Sequence, residues 1–97
     1  PFIAATGSAK ESWLADGCYV ACEITHSLLS DDVQIKEGAK ITDSVIMSGA
    51  TIGKNVILNR AIIGENAILG DGAILDGTDE IAVVGYSEVI GVTIDED

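Results

Sequence analysis

Residues 22–72, broken after every seventeenth position, read CEITHSLLSDDVQIKEG, AKITDSVIMSGATIGKN and VILNRAIIGENAILGDG. Cys22, Ala39 and Val56 head these rows, and Ala73 heads a fourth. Two places on stand Ile24, Ile41, Leu58 and Leu75. Next come Ser27, Ser44, Ala61 and Thr78, followed two places later by Leu29, Ile46 and Ile63. Val33, Ala50 and Ala67 then precede Ile35, Ile52 and Leu69 at the same spacing. A fixed repeat this short marks a solenoid, and small–large pairs on a hexapeptide beat mark a parallel β-helix.

Residues two apart on a strand point to the same side, so each small–large pair faces inward. Three pairs per row give three short strands per coil and a triangular prism. The corners need a sharp change of direction. Asp32, Gly49 and Asn66 share one corner column, and Gly38, Asn55 and Gly72 share a second. These residue types tolerate positive φ, so both columns read as left-handed corners. The third corner is one residue shorter and is assigned to Thr25, Thr42, Asn59 and Asp76, whose side chains can bond local backbone.

Composition agrees with this all-β class. The 97 residues make one domain, and 47% hydrophobic with 4% aromatic suits a narrow aliphatic core. A net charge of −11 argues against nucleic acid and acidic membrane surfaces as partners. No apolar run approaches a bilayer span. Cys18 and Cys22 lack a second cysteine or histidine pair to complete a zinc site, and Cys22 lies in an inward column. Buried thiols in a reducing cytoplasm are the expectation. No metal or cofactor is implied.

His26, the single histidine, bears on catalysis. A histidine is the general base in some β-helix acyltransferases, but no partner for His26 is identifiable from the repeat, so it reads as an exposed corner residue. A carbonic anhydrase of this fold needs three histidines and is excluded. The outward positions say more. One column runs Glu23, Lys40, Ile57, Ile74 and a second Gln34, Thr51, Ile68, whereas Leu28, Val45 and Ile62 are apolar throughout. That third column is the candidate interface, with another domain or subunit covering it.

In chain order, residues 1–12 read as a linker or an imperfect first coil, and 13–94 as the β-helix domain. The frame slips between Val20 and Cys22, which makes Trp13 to Val20 a partial coil. Register is lost again after Thr78, where Asp79-Glu80 looks like a turn; Ile81–Val84 and Glu88–Val92 follow as strands. The tail, Asp95-Glu96-Asp97, reads as disordered. The start at Pro1 without methionine reads as a piece of a larger protein.

Asp16-Gly17-Cys18, Thr42-Asp43-Ser44-Val45-Ile46-Met47, Ala61-Ile62-Ile63-Gly64-Glu65-Asn66-Ala67 and Asp79-Glu80-Ile81-Ala82-Val83-Val84-Gly85 together resemble the C-terminal domain of bacterial glucose-1-phosphate adenylyltransferase (ADP-glucose pyrophosphorylase). The resemblance covers Trp13 to Val92. It implies a left-handed parallel β-helix attached to an N-terminal nucleotidyltransferase domain. The parent enzyme would make ADP-glucose from ATP and glucose 1-phosphate for glycogen synthesis, as a homo-oligomer with a small-molecule effector near the domain junction. The catalytic motifs of that family lie in its N-terminal domain, so no catalytic residue carries over and this chain alone is expected to be inactive. Two alternatives stand beside it: an acyltransferase using His26 between prisms of a trimer, and a purely structural solenoid.

Overall fold

Strands of only two or three residues follow one another around a triangular prism, because every five or six residues a corner turns the chain. The computed structural model describes residues 2–5 and 7–91. The first coil comprises β1 (Phe2–Ile3), β2 (Ser8–Lys10) and β3 (Trp13–Leu14). The second is β4 (Tyr19–Val20), β5 (Glu23–Thr25) and β6 (Leu28–Leu29); the third is β7 (Gln34–Ile35), β8 (Lys40–Thr42) and β9 (Val45–Ile46). The fourth is β10 (Thr51–Ile52), β11 (Ile57–Asn59) and β12 (Ala61–Ile63). The fifth is β13 (Ile68–Leu69), β14 (Ile74–Asp76) and β15 (Ala82–Val84), and β16 (Val89–Ile90) continues beyond it.

Equivalent strands stack in parallel into three sheets. The first runs β1-β4-β7-β10-β13-β16, the second β2-β5-β8-β11-β14 and the third β3-β6-β9-β12-β15. Thr51 lies opposite Ile68 and Ile57 opposite Ile74, the expected seventeen-residue step. Ile35, Ile52 and Leu69 point inward from the first sheet, Ile24, Ile41 and Leu58 from the second, and Leu29, Ile46 and Ile63 from the third. All are at most 1% exposed. Alanine, valine and cysteine fill the tighter spaces beside the corners, through Cys22, Ala39 and Val56 in one column and Val33, Ala50 and Ala67 in another. Burial at about 25 cal/mol per Å² of apolar surface makes these columns the main stabilising term.

The two left-handed columns fall where Gly, Asn and Asp alternate. One contains Gly17, Asp32, Gly49, Asn66 and Ser87, with φ of 79°, 59°, 76°, 58° and 54°. The other contains Gly38, Asn55 and Gly72, at 78°, 57° and 79°. The third corner differs from expectation by one residue. Thr25, Thr42, Asn59 and Asp76 end strands, and the turn is made by the residue that follows the first three of them: His26, Asp43 and Arg60, at φ 48°, 49° and 52°.

Two coils depart from the regular length. Ser8 lies opposite Glu23 and Trp13 opposite Leu28, a step of fifteen. The corner between β4 and β5 holds only Ala21 and Cys22, whereas the equivalent corner between β7 and β8 has Lys36, Glu37, Gly38 and Ala39. The frame slip is therefore a shortened corner, and the coil containing Trp13 is complete. Residues 2–12 contribute β1 and β2, paired in register with β4 and β5. The second departure is an insertion: residues 77–81 replace the single Arg60 of the coil before, so Ala61 lies opposite Ala82, a step of twenty-one. The last strands are correspondingly shorter than expected, Ala82–Val84 and Val89–Ile90. Pro1, Val92, the domain limit at residue 94 and the acidic tail 95–97 lie outside the described residues.

Candidate functional site

The third corner and the sheet beside it bring together the side chains with chemical potential. Each corner residue sits between a strand of the second sheet and a serine or alanine that opens towards the third. The backbone N–H of His26 donates to Lys10 O at 3.0 Å, that of Asp43 to Thr25 O at 3.1 Å and that of Arg60 to Thr42 O at 3.1 Å. Serine hydroxyls lock the next position. Ser27 Oγ donates to Thr25 O (2.9 Å) and accepts from Ser44 N (3.1 Å); Ser44 Oγ donates to Thr42 O (2.9 Å) and accepts from Ala61 N (3.1 Å). Ser12 starts the ladder by accepting from Ser27 N at 3.1 Å. This satisfies backbone groups that a one-residue turn leaves without strand partners, and it holds the corner residues one above another.

The resulting column is Glu11, His26, Asp43 and Arg60. His26 Nε2 lies 2.7 Å from Glu11 Oε2, and its Nδ1 lies 3.5 Å from Asp43 Oδ1. The hydrogen bond to Glu11 and that carboxylate's charge raise the imidazole pKa above its ordinary value, and Asp43 adds to the effect. A histidine held between two carboxylates favours the imidazolium, which is an ion-pair partner and a poor general base. The partner Glu11 was hidden from a seventeen-residue frame, since it lies fifteen before His26; counting the frame slip after Val20 would have found it. Arg60 stacks beyond Asp43 but forms no ion pair with it within 4 Å; its Nη1 donates to Thr78 O at 3.4 Å.

Beside this column runs the candidate interface. Leu28, Val45 and Ile62 stand directly opposite one another on β6, β9 and β12. Trp13 on β3 and Val83 on β15 extend the line to all five levels of the third sheet. Both were missed because the short corner and the insertion displace them from the repeat. Exposure is 68% at Trp13, 41% at Leu28, 36% at Val45 and 67% at Val83. A shallow depression of about 500 Å³ lies among Glu11, Trp13, His26, Leu28, Asp43 and Val45. A second, of about 400 Å³, lies among Asp43, Val45, Arg60, Ile62 and Ile81. A third of about 350 Å³, lined by Lys36, Thr51, Ile68 and Asp71 among others, is on the far side of the prism.

Three titratable groups outside this column, Cys18, Cys22 and Asp76, are tied into the structure. Cys18 and Cys22 are free and buried; Cys18 Sγ donates to Ser30 O at 3.0 Å, and burial pushes the Cys22 thiol up to about 12. Asp76 accepts hydrogen bonds from Thr78 and Asn59, which hold its carboxyl below the usual range. Among the described residues no group of three metal-ligating side chains occurs, and no helix is long and apolar enough to cross a membrane.

No solved structure matches the chain. The family described as GlmU-like, C-terminal hexapeptide, matches it over residues 3–97, a span that includes the serine-bridged corner. The chain thus belongs to the GlmU-like C-terminal hexapeptide family.

Proposed function

We propose that this chain is the C-terminal assembly and regulatory domain of a glucose-1-phosphate adenylyltransferase. In this reading an adjoining nucleotidyltransferase domain forms ADP-glucose and pyrophosphate from ATP and glucose 1-phosphate. The observation carrying it is the apolar line Trp13, Leu28, Val45, Ile62 and Val83, which faces outward along the whole third sheet. Apolar columns of this length mark association surfaces. The two stretches that most resemble the adenylyltransferases, Asp43–Met47 and Ile81–Gly85, form β9 and β15 of that same sheet. Family-specific residues thus coincide with the surface assigned to assembly.

The test follows pyrophosphate release and ADP-glucose formation with ATP, Mg²⁺ and glucose 1-phosphate. The full-length native protein should turn over, and residues 1–97 alone should not. A full-length protein inactive in this assay contradicts the assignment.

One observation favours a second reading, an acyltransferase. His26 borders the depression of about 500 Å³, although its contacts with Glu11 and Asp43 favour the imidazolium over the free base. Acyl transfer by the purified protein that disappears in His26→Ala would select this reading.

A further inference from the structure

We propose that the outer face of the third sheet pairs with the same face of a second copy of the chain, the two prisms running antiparallel. The argument starts from the order of charge along the corner. Glu11, His26, Asp43 and Arg60 follow one another up the prism, one per coil, as acid, base, acid, base. Reversing that order exchanges every acid for a base. Consider a two-fold axis parallel to the strands, lying in the contact plane level with the midpoint of His26 and Asp43. It sets Glu11 against Arg60 of the second copy and His26 against Asp43 of the second copy. The same axis sets Leu28 against Val45 and Trp13 against Ile62, so the charged column and the first four levels of the apolar one meet their complements in one register, with Val83 beyond the contact. Closed two-fold contacts of this kind are self-complementary by construction.

The parallel alternative lacks this match. A two-fold axis along the prism carries the corner columns to opposite edges of the contact, where no charge faces another. The other two sheets are less suited. The outward column of the second contains Ser8, Glu23 and Lys40, and that of the first is interrupted by Gln34 and Thr51. The third sheet is the one that is apolar at every level. Its flanking charges are accessible: side-chain exposure is 75% at Glu11, 54% at His26 and 50% at Asp43. Among the described residues, no carboxylate lies within 4 Å of the Arg60 guanidinium. Charges at the rim would set orientation and register, and the apolar line would supply affinity.

This inference rests on the assembly half of the proposed function and not on the reaction assigned to the parent. Leu28→Cys and Val45→Cys variants of the full-length protein, expressed singly and together and then oxidised, test it. Within residues 1–97 the native thiols do not compete, since Cys18 and Cys22 are each 2% exposed, and any exposed cysteine elsewhere is replaced by serine beforehand. A disulfide-linked dimer should form when the two variants are co-expressed and not in either alone. Cross-linking of each variant with itself would show parallel prisms and overturn the proposal. Absence of cross-linking in all three samples would also overturn it, because the face would then not meet its own kind. Charge exchange supplies a second readout. Glu11→Arg and Arg60→Glu should each weaken self-association roughly tenfold, and the two combined should restore it; failure of rescue contradicts the pairing. ADP-glucose formation by the wild-type protein is scored separately. Loss of the enzyme assignment with the mixed disulfide intact would leave this interface standing, and the reverse result would remove the interface alone.

Discussion

Asn66 lays its side-chain oxygen over Gly49 of the preceding coil, so closely that a Cβ on Gly49 would overlap it. Both residues are left-handed, at φ 58° and 76°. The same stacking joins Asp32 to Gly17 and Asn55 to Gly38. An Asx residue in one coil thus requires glycine in the coil before it, which explains the alternation down each corner.

Gly72 provides the control. Its φ is 79°, but a Cβ there meets nothing within 4 Å. Gly72→Ala should cost only the left-handed strain of about 1–2 kcal/mol. Gly49→Ala should add an overpacking cost of about 1–3 kcal/mol. Denaturant unfolding of both variants measures the difference, and equal losses would remove the stacking argument.

The Glu11–His26 pair makes stability depend on pH in a definite direction. The folded imidazole has a pKa above its ordinary value, so its stabilising contribution is complete below about pH 6.5, the unfolded value. It is lost as pH rises through the folded value. In Glu11→Gln the principal cause is removed. An NMR titration should therefore show the His26 pKa falling towards the unfolded value in that variant. The Tm difference between wild type and Glu11→Gln should shrink from pH 6 towards alkaline pH. A difference that grows with pH contradicts the pairing.

Ile52 and Lys54 test what holds the stack together. Ile52 is fully buried, and Ile52→Ala should cost about 2–5 kcal/mol. Lys54 stacks between Glu37 and Asp71 in the coils on either side, but it bonds Asp71 Oδ1 through its backbone N–H at 2.8 Å, and its ammonium joins no ion pair among the described residues. Lys54→Ala should cost at most about 1 kcal/mol, independent of salt. If Lys54 is the costlier position, the aliphatic columns are not the main stabilising term.

How far the sequence can be read follows from where the repeat stays regular. Ile35, Ile52 and Leu69 share a column at a constant step, and Gly49 and Asn66 declare their corner by residue type, so core and prism were legible. The corner turn at His26, Asp43 and Arg60 was not, because this column mixes residue types and lacks the glycine that marks the other two corners. Serine hydroxyls support that turn from the next position, which relaxes the demand on the corner residue itself. Glu11, Trp13 and Val83 were hidden for a different reason: a corner shortened to Ala21-Cys22 and the insertion at 77–81 shift them off the frame. Side-chain ladders across coils depend on such offsets, so the site was less legible than the fold that carries it.

The outer face of the third sheet as an association surface is tested most directly by Val45→Glu. Val45 points outward and is 36% exposed, so glutamate there leaves the core intact. Once the face is covered, the same carboxylate is buried without a partner. Sedimentation velocity on the full-length protein, with circular dichroism as a check on folding, should show an associated wild type. The variant should be equally folded and associate about tenfold or more weakly. A variant that sediments as wild type does, or a wild type that is monomeric, would contradict the assignment of this face.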